Sequence, residues 1–139
     1  MVQVDWKGQM EFRITPPSGN TFTIDAHHEL GGQNLGPTPL EVMLSSIGAC
    51  AAMDVIVILE KKKQKVTSYR VEVNGARPEP GVFPRPYTDI TVRHIVKGEN
   101  LDPAAVARAV QLSDEKYCTV IATLRLGPSV TSEWQIESD

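Results

Sequence analysis

At 139 residues, 41% of them hydrophobic and 22% charged, the chain is long enough for one domain with a real core and too short for a second. Ten glycines and ten prolines within that composition exclude a disordered or low-complexity chain. A formal charge of −3 provides no global positive field for nucleic acid or an anionic membrane.

The chain opens with Val2, Val4 and Trp6 alternating with Gln3, Asp5 and Lys7. Beyond Gly8, Met10, Phe12 and Ile14 alternate with Glu11, Arg13 and Thr15, which predicts a strand pair. This opening lacks the basic start, apolar run and small-residue cleavage site of a secretory signal, so the expected compartment is the cytosol. Pro16, Pro17, Ser18, Gly19 and Asn20 form a turn cluster, and Phe22 and Ile24 set among Thr21, Thr23 and Asp25 predict a third strand. Residues 31–39 read as a loop.

From 39 to about 64 nothing breaks a helix, and 42–59 is almost entirely apolar or small. Such a run reaches the lower limit of a membrane span, about 18 residues. Against a span stand Asp54 inside it, Ser45 and Ser46 diluting it, and flanking strands that would have no partner in lipid. The expectation is a buried central helix, or one shared with a partner subunit. Lys61, Lys62, Lys63 and Lys65 follow, cations well placed at a helix C-terminus.

Tyr69, Val71 and Val73 then alternate up to a turn expected at Asn74-Gly75, and 78–86 is a proline-rich loop. Thr88, Ile90, Val92, His94 and Val96 share one strand face, which makes His94 a hydrogen-bonded core histidine. Asp102 caps a helix with Pro103 in its first position, running to about Leu112. Ser113 is expected to cap a further helix, with Asp114 and Glu115 in its first turn, passing through Cys118 towards Leu124. Trp134 and Ile136 suggest a closing strand. The order predicts an α+β fold with helices packed on an antiparallel sheet.

The chain has two cysteines, Cys50 in the middle of the apolar helix and Cys118 far downstream. That separation carries no metal or redox signature, so a pair of packing thiols is the plain alternative. Zinc held with His27 and His28 is disfavoured, because neighbouring side chains on an extended segment point to opposite sides, and no metal site is expected.

The sequence around the cysteines is more specific. Gly36-Pro37-Thr38-Pro39-Leu40-Glu41-Val42-Met43-Leu44, then Gly48-Ala49-Cys50 with Asp54-Val55, then Leu112-Ser113 and Glu115-Lys116-Tyr117-Cys118 resemble the OsmC/Ohr family, the osmotically inducible protein C and organic hydroperoxide resistance proteins. The resemblance covers nearly the whole chain as a single domain, 1–139. It implies an α+β fold with antiparallel sheets packed around a long central cysteine-bearing helix, in an intertwined homodimer whose active sites each draw on both subunits. It also implies a cofactor-free thiol peroxidase that reduces organic hydroperoxides to alcohols. Cys50 would attack the O–O bond and become a sulfenic acid, and Cys118 would condense with it. A lipoyl or thioredoxin-like dithiol would reopen the disulfide.

The attacking form of a thiol is the thiolate, and a mid-helix Cys50 gains little from the helix dipole, so a nearby cation is required. The family supplies an arginine held by a glutamate. Here the candidates are Arg13 and Arg85, with Arg125 a weaker third. The peroxidase branch places its carboxylate directly after the proline of the helix-start motif, where this chain has Leu40, with Glu41 one position later. At about 100° per residue, Glu41 lies about 180° from Cys50 around the helix and Leu40 about 80°. Met43, Ser46 and Asp54 share the Cys50 face, where Asp54 either anchors an arginine or opposes the thiolate. Met43, Met53, Phe83 and Tyr87 are the expected apolar wall of the substrate pocket. Two rival readings stand beside the peroxidase: a non-catalytic redox sensor or small-ligand-binding protein, and a structural dimer with inert buried thiols.

Overall fold

A computed structural model describes residues 1–137; the last two residues of the expected domain lie outside the described residues. The chain divides into two compact units, each built from two segments. Unit 1 comprises Met1–Gly48 and Glu72–Arg93, and unit 2 comprises Ala49–Val71 and the chain from His94 onward.

Unit 1 begins with three antiparallel strands in the order β1-β2-β3: β1 Gln3–Gly8, β2 Glu11–Thr15 and β3 Phe22–Ile24. The alternation read from the sequence sets the register, with Val4 opposite Ile14 and Asp5 opposite Arg13. Ile14 is buried, whereas Val4 and Trp6 are exposed. After β3 the loop folds around Asp25, only 2% exposed. Its carboxylate accepts the backbone N–H groups of Ala26 at 2.7 Å, Gln33 at 3.3 Å and Leu35 at 3.2 Å. The loop also contains a 3-10 turn at His28–Leu30 that the sequence reading missed.

The long helix α1 spans Pro39–Lys61. Thr38 starts it, its hydroxyl accepting the Glu41 N–H at 3.3 Å, with Pro39 in a position where a missing N–H costs nothing. It stops about three residues before the expected end because Lys63 turns left-handed at φ 55° and Gln64 N–H folds back to the Leu59 carbonyl. Among the described residues α1 is the one helix long and apolar enough to cross a membrane, with 28% of its 18-residue apolar window buried in this chain. Its own chain therefore buries only part of the helix, which a central helix covered by one subunit alone would not show. Ile47, Ala51, Val55 and Leu59 are buried, but Met53 is 69% and Val57 46% exposed.

β4 Lys65–Ala76 and β5 Asp89–Glu99 form a two-stranded sheet. They run antiparallel: Thr88 N–H reaches the Ala76 carbonyl at one end, and Lys65 meets Glu99 at 3.7 Å at the other. No turn forms at Asn74-Gly75, because β4 continues through both residues. Gly75 instead lets the backbone lie against the Tyr87 ring, which a Cβ would strike. In this case an Asn-Gly pair marks close approach rather than a reversal.

In unit 2, Asp102 caps α2 Pro103–Leu112 as the sequence predicts, its carboxylate accepting Ala104 N–H at 2.9 Å. Val55 and Leu59 of α1 pack with Ala109 of α2 to form the core, and Val66, Tyr69 and Val96 close over it. The expected Ser113-capped helix is corrected. Ser113–Tyr117 is a π-helical turn, Cys118 is extended at φ −73°, ψ 98°, and a separate helix α3 Thr119–Leu126 starts after it. The closing strand expected around Trp134 and Ile136 does not form: residues 127–137 carry no regular structure, and both side chains are exposed. The fold is a mixed α and β one with antiparallel sheets.

Candidate functional site

The two cysteines meet inside unit 2. Helix α1 places Cys50 and Asp54 four residues apart, hence on one face. The π-helical turn delivers Cys118 to that face. The Cys50 and Cys118 sulfurs and an Asp54 carboxylate oxygen all lie within 4.8 Å of one another. Both thiols are free. Cys50 is half-buried and Cys118 is 3% exposed, so the two sulfurs differ in access. A π turn makes this placement possible, since its extra residue re-aims the side chains that follow, a device common at functional sites. Cys118 N–H closes it on the Ser113 carbonyl at 2.8 Å.

Ser113 itself is the residue that sequence reasoning misplaced. Buried at the start of the turn, it does not cap a helix. Its hydroxyl donates to Asp54 Oδ2 at 3.2 Å and lies 3.4 Å from the Ala51 carbonyl. It thus holds the Asp54 carboxylate beside the sulfurs. The available signal was Ser113 within the second cysteine motif, but a Ser followed by two acidic residues reads more simply as a cap.

Burial pushes the Cys118 thiol up. The backbone N–H of Ile121 pulls the other way, while contact with Cys50 and the Asp54 charge add to the rise. At neutral pH Cys118 is therefore a thiol. Nearby in unit 2, Tyr69 Oη and His94 Nδ1 lie 2.6 Å apart and their rings stack at 6.1 Å. Burial drives Tyr69 up to about 12 and His94 down, the latter partly offset by Asp114. His94 is the hydrogen-bonded histidine that its strand face predicts.

Of the other expected site residues, Met53 and Arg125 share unit 2 with the thiols. Arg13 is exposed on β2 in unit 1, opposite Asp5 and Thr23. Glu41, in the first turn of α1, lies 3.5 Å from His27 Nε2. Met43 is half-buried and Phe83 exposed in unit 1, where Tyr87 packs on Gly75 with the Arg77 guanidinium 5.9 Å from its ring centre. Arg85 donates to the Pro78 carbonyl. Arg125, in unit 2, pairs with Asp114 at 2.9 Å.

A long helix carrying a cysteine, a second cysteine brought beside it and antiparallel sheets define a class of two-cysteine α/β protein. Residues 31–133 match the family model described as OsmC-like protein, and the chain belongs to that family. It is 35% identical over 134 residues to Protein YhfA of Escherichia coli K12, with 96% of each chain covered. A crystal structure of a hypothetical protein from Aquifex aeolicus is 31% identical with a TM-score of 0.74, covering 91% of this chain and 87% of that one. An organic hydroperoxide resistance protein OsmC from Legionella pneumophila, at 13% identity, shares the fold with a TM-score of 0.65, covering 90% and 89%.

Proposed function

We propose that this chain is a cysteine-based peroxidase that reduces organic hydroperoxides to alcohols. The observation that carries the reading is the approach of the Cys50 and Cys118 sulfurs to within 4.8 Å inside one unit. Their unequal access supports the division of roles. Half-buried Cys50, as thiolate, attacks the outer oxygen of ROOH; the O–O bond breaks, ROH leaves with a proton, and Cys50 becomes a sulfenic acid. Buried Cys118, kept protonated at rest by desolvation, then attacks that sulfur, forming the disulfide and expelling water. A lipoyl or thioredoxin-like dithiol reduces it by exchange. Family membership, and the printed names of structural neighbours as organic hydroperoxide resistance proteins, support this reading. Arg13 remains the proposed activating cation, Glu41 its proposed carboxylate, and Met43, Met53, Phe83 and Tyr87 the proposed apolar wall, in a cytosolic homodimer with shared sites.

The test is to titrate fully reduced protein with cumene hydroperoxide and with H₂O₂, counting thiols and recording intact mass. Wild type is expected to lose both thiols and two hydrogens, faster with the organic peroxide. Cys118→Ser should gain one oxygen and Cys50→Ser should stay inert. Survival of both thiols in a large excess of peroxide would rule the peroxidase out. A second reading, a non-catalytic redox sensor or small-ligand-binding protein, is favoured by the anionic Asp54 placed beside the sulfurs. It predicts slow, stoichiometric oxidation with no turnover when a dithiol is supplied.

A further inference from the structure

We infer that Cys50, Asp54 and Cys118 form a three-ligand site for a thiophilic divalent cation of the Zn²⁺ or Cd²⁺ class, occupied when the thiols are reduced. The inference starts from spacing. Cys50 and Asp54 stand four apart on α1, the interval by which a helix offers two ligands to one metal, as in H-E-x-x-H. Cys118 supplies the third ligand from outside the helix. Two thiolates and a carboxylate oxygen make a soft, borderline donor set suited to Zn²⁺ and its heavier congener rather than to Mg²⁺ or Ca²⁺.

The distances allow it. In a tetrahedral site with Zn–S of about 2.3 Å, neighbouring sulfurs lie about 3.8 Å apart. The three donor atoms already lie within 4.8 Å of one another, so side-chain rotation rather than backbone movement closes the remaining gap. The carboxylate is also oriented in advance. Ser113 Oγ holds Asp54 Oδ2 at 3.2 Å, the kind of outer hydrogen bond that keeps a ligating carboxylate in place. Half-buried Cys50 leaves the donor set accessible to a cation, while Cys118 is shielded from bulk water. Three protein ligands leave a fourth position open.

The ligating forms are both thiolates, so any proton carried by a thiol goes to water as M²⁺ binds. One further consequence rests on the peroxidase reading. A metal on both sulfurs competes with hydroperoxide for them: once it dissociates, the free dithiol with ROOH gives the disulfide, ROH and water, and the disulfide no longer rebinds M²⁺. The site is then a cation store that hydroperoxide empties.

Anaerobic titration of the reduced, chelator-stripped full chain with Co²⁺, followed by Zn²⁺ displacement against a chromophoric chelator, tests the site. One Co²⁺ per chain with a sulfur-to-cobalt charge-transfer band is expected. The band should vanish in Cys50→Ser and in Cys118→Ser, and affinity should fall at least tenfold in Asp54→Asn. Absence of the band in wild type, or wild-type affinity in either serine variant, overturns the site. Wild-type affinity in Asp54→Asn overturns the role of the carboxylate, and with it the three-ligand assignment. The peroxidase reading is tested separately on metal-free protein: failure to consume cumene hydroperoxide there while Co²⁺ still binds removes that reading and leaves the cation site standing.

Discussion

At the scale of single residues, two titratable groups dominate, one buried and one half-buried. Asp25 is nearly inaccessible yet ionised, because its oxygens accept the N–H groups of Ala26, Leu35 and Gln33. The Ala26 bond leads in holding its carboxyl below the ordinary value of 3.8, with burial opposing and His28 helping. A lowered carboxyl contributes stability that is complete above the ordinary value and is lost as pH falls through the lowered one. Asp25→Ala should therefore lower the thermal midpoint at neutral pH, leaving three loop N–H groups without their acceptor. The deficit relative to wild type should narrow in strong acid. His94 responds over a higher pH range. Its burial favours the neutral ring, and Tyr69, held protonated up to about 12, donates to Nδ1 in the tautomer with its hydrogen on Nε2. The neutral ring's contribution is present above about pH 6.5 and fades as pH falls through the lowered value. Urea midpoints from about pH 7 to about pH 4 should fall more steeply for wild type than for His94→Gln. Parallel curves would remove the half-buried ring from the account.

At the scale of elements, caps and close approaches decide what a substitution costs. Asp102 makes one hydrogen bond to Ala104 at the start of α2, and Asp102→Ala should cost about 1 kcal/mol in equilibrium unfolding. Gly98 on β5 presents a different constraint, since a Cβ there would run into the Lys65 carbonyl of β4 and the Leu101 side chain. A backbone atom cannot yield as a flexible side chain does, so Gly98→Ala should lose more stability than Asp102→Ala, measured by the same unfolding curves. An equal loss would mean that β4 and β5 separate freely at that end. These two cases also mark what the sequence reveals. Asp102-Pro103 states its role locally, and α2 begins where that pair predicts. β1 to β3 follow from alternation for the same reason. Gly75 and Gly98 depend on what lies opposite them, which is why Asn74-Gly75 reads as a turn although the strand passes straight through. Ser113 fails likewise: its local context says cap, but its partners Ala51 and Asp54 come from a helix far upstream. The meeting of Cys50 and Cys118 was legible only through the motifs around them, because no periodicity links positions so far apart.

At the scale of the whole molecule, α1 sets the remaining question. One side of its unit 2 stretch carries Ala51, Val55 and Leu59 into the core, yet Met53 and Val57 project from the same stretch at 69% and 46% exposure. Sequence shows that the helix is apolar all round but not which sides its own chain covers; the structure assigns those sides. An apolar side left in water is costly for a protein that stays monomeric. A second copy seated there is the proposed remedy, and it accounts for a helix with no polar face. Sedimentation equilibrium should then give twice the chain mass, and the thermal midpoint should rise with protein concentration, as it does when association stabilises the folded state. Met53→Glu places a charge on the side to be covered and leaves Val55 and Leu59 in their own core. It should shift the equilibrium toward monomer and remove the concentration dependence, with the fold itself retained by circular dichroism. A wild-type chain that sediments as a monomer at every concentration would leave the Cys50–Cys118 pair to work within one subunit, and the proposed active site would have to be completed by residues of its own chain.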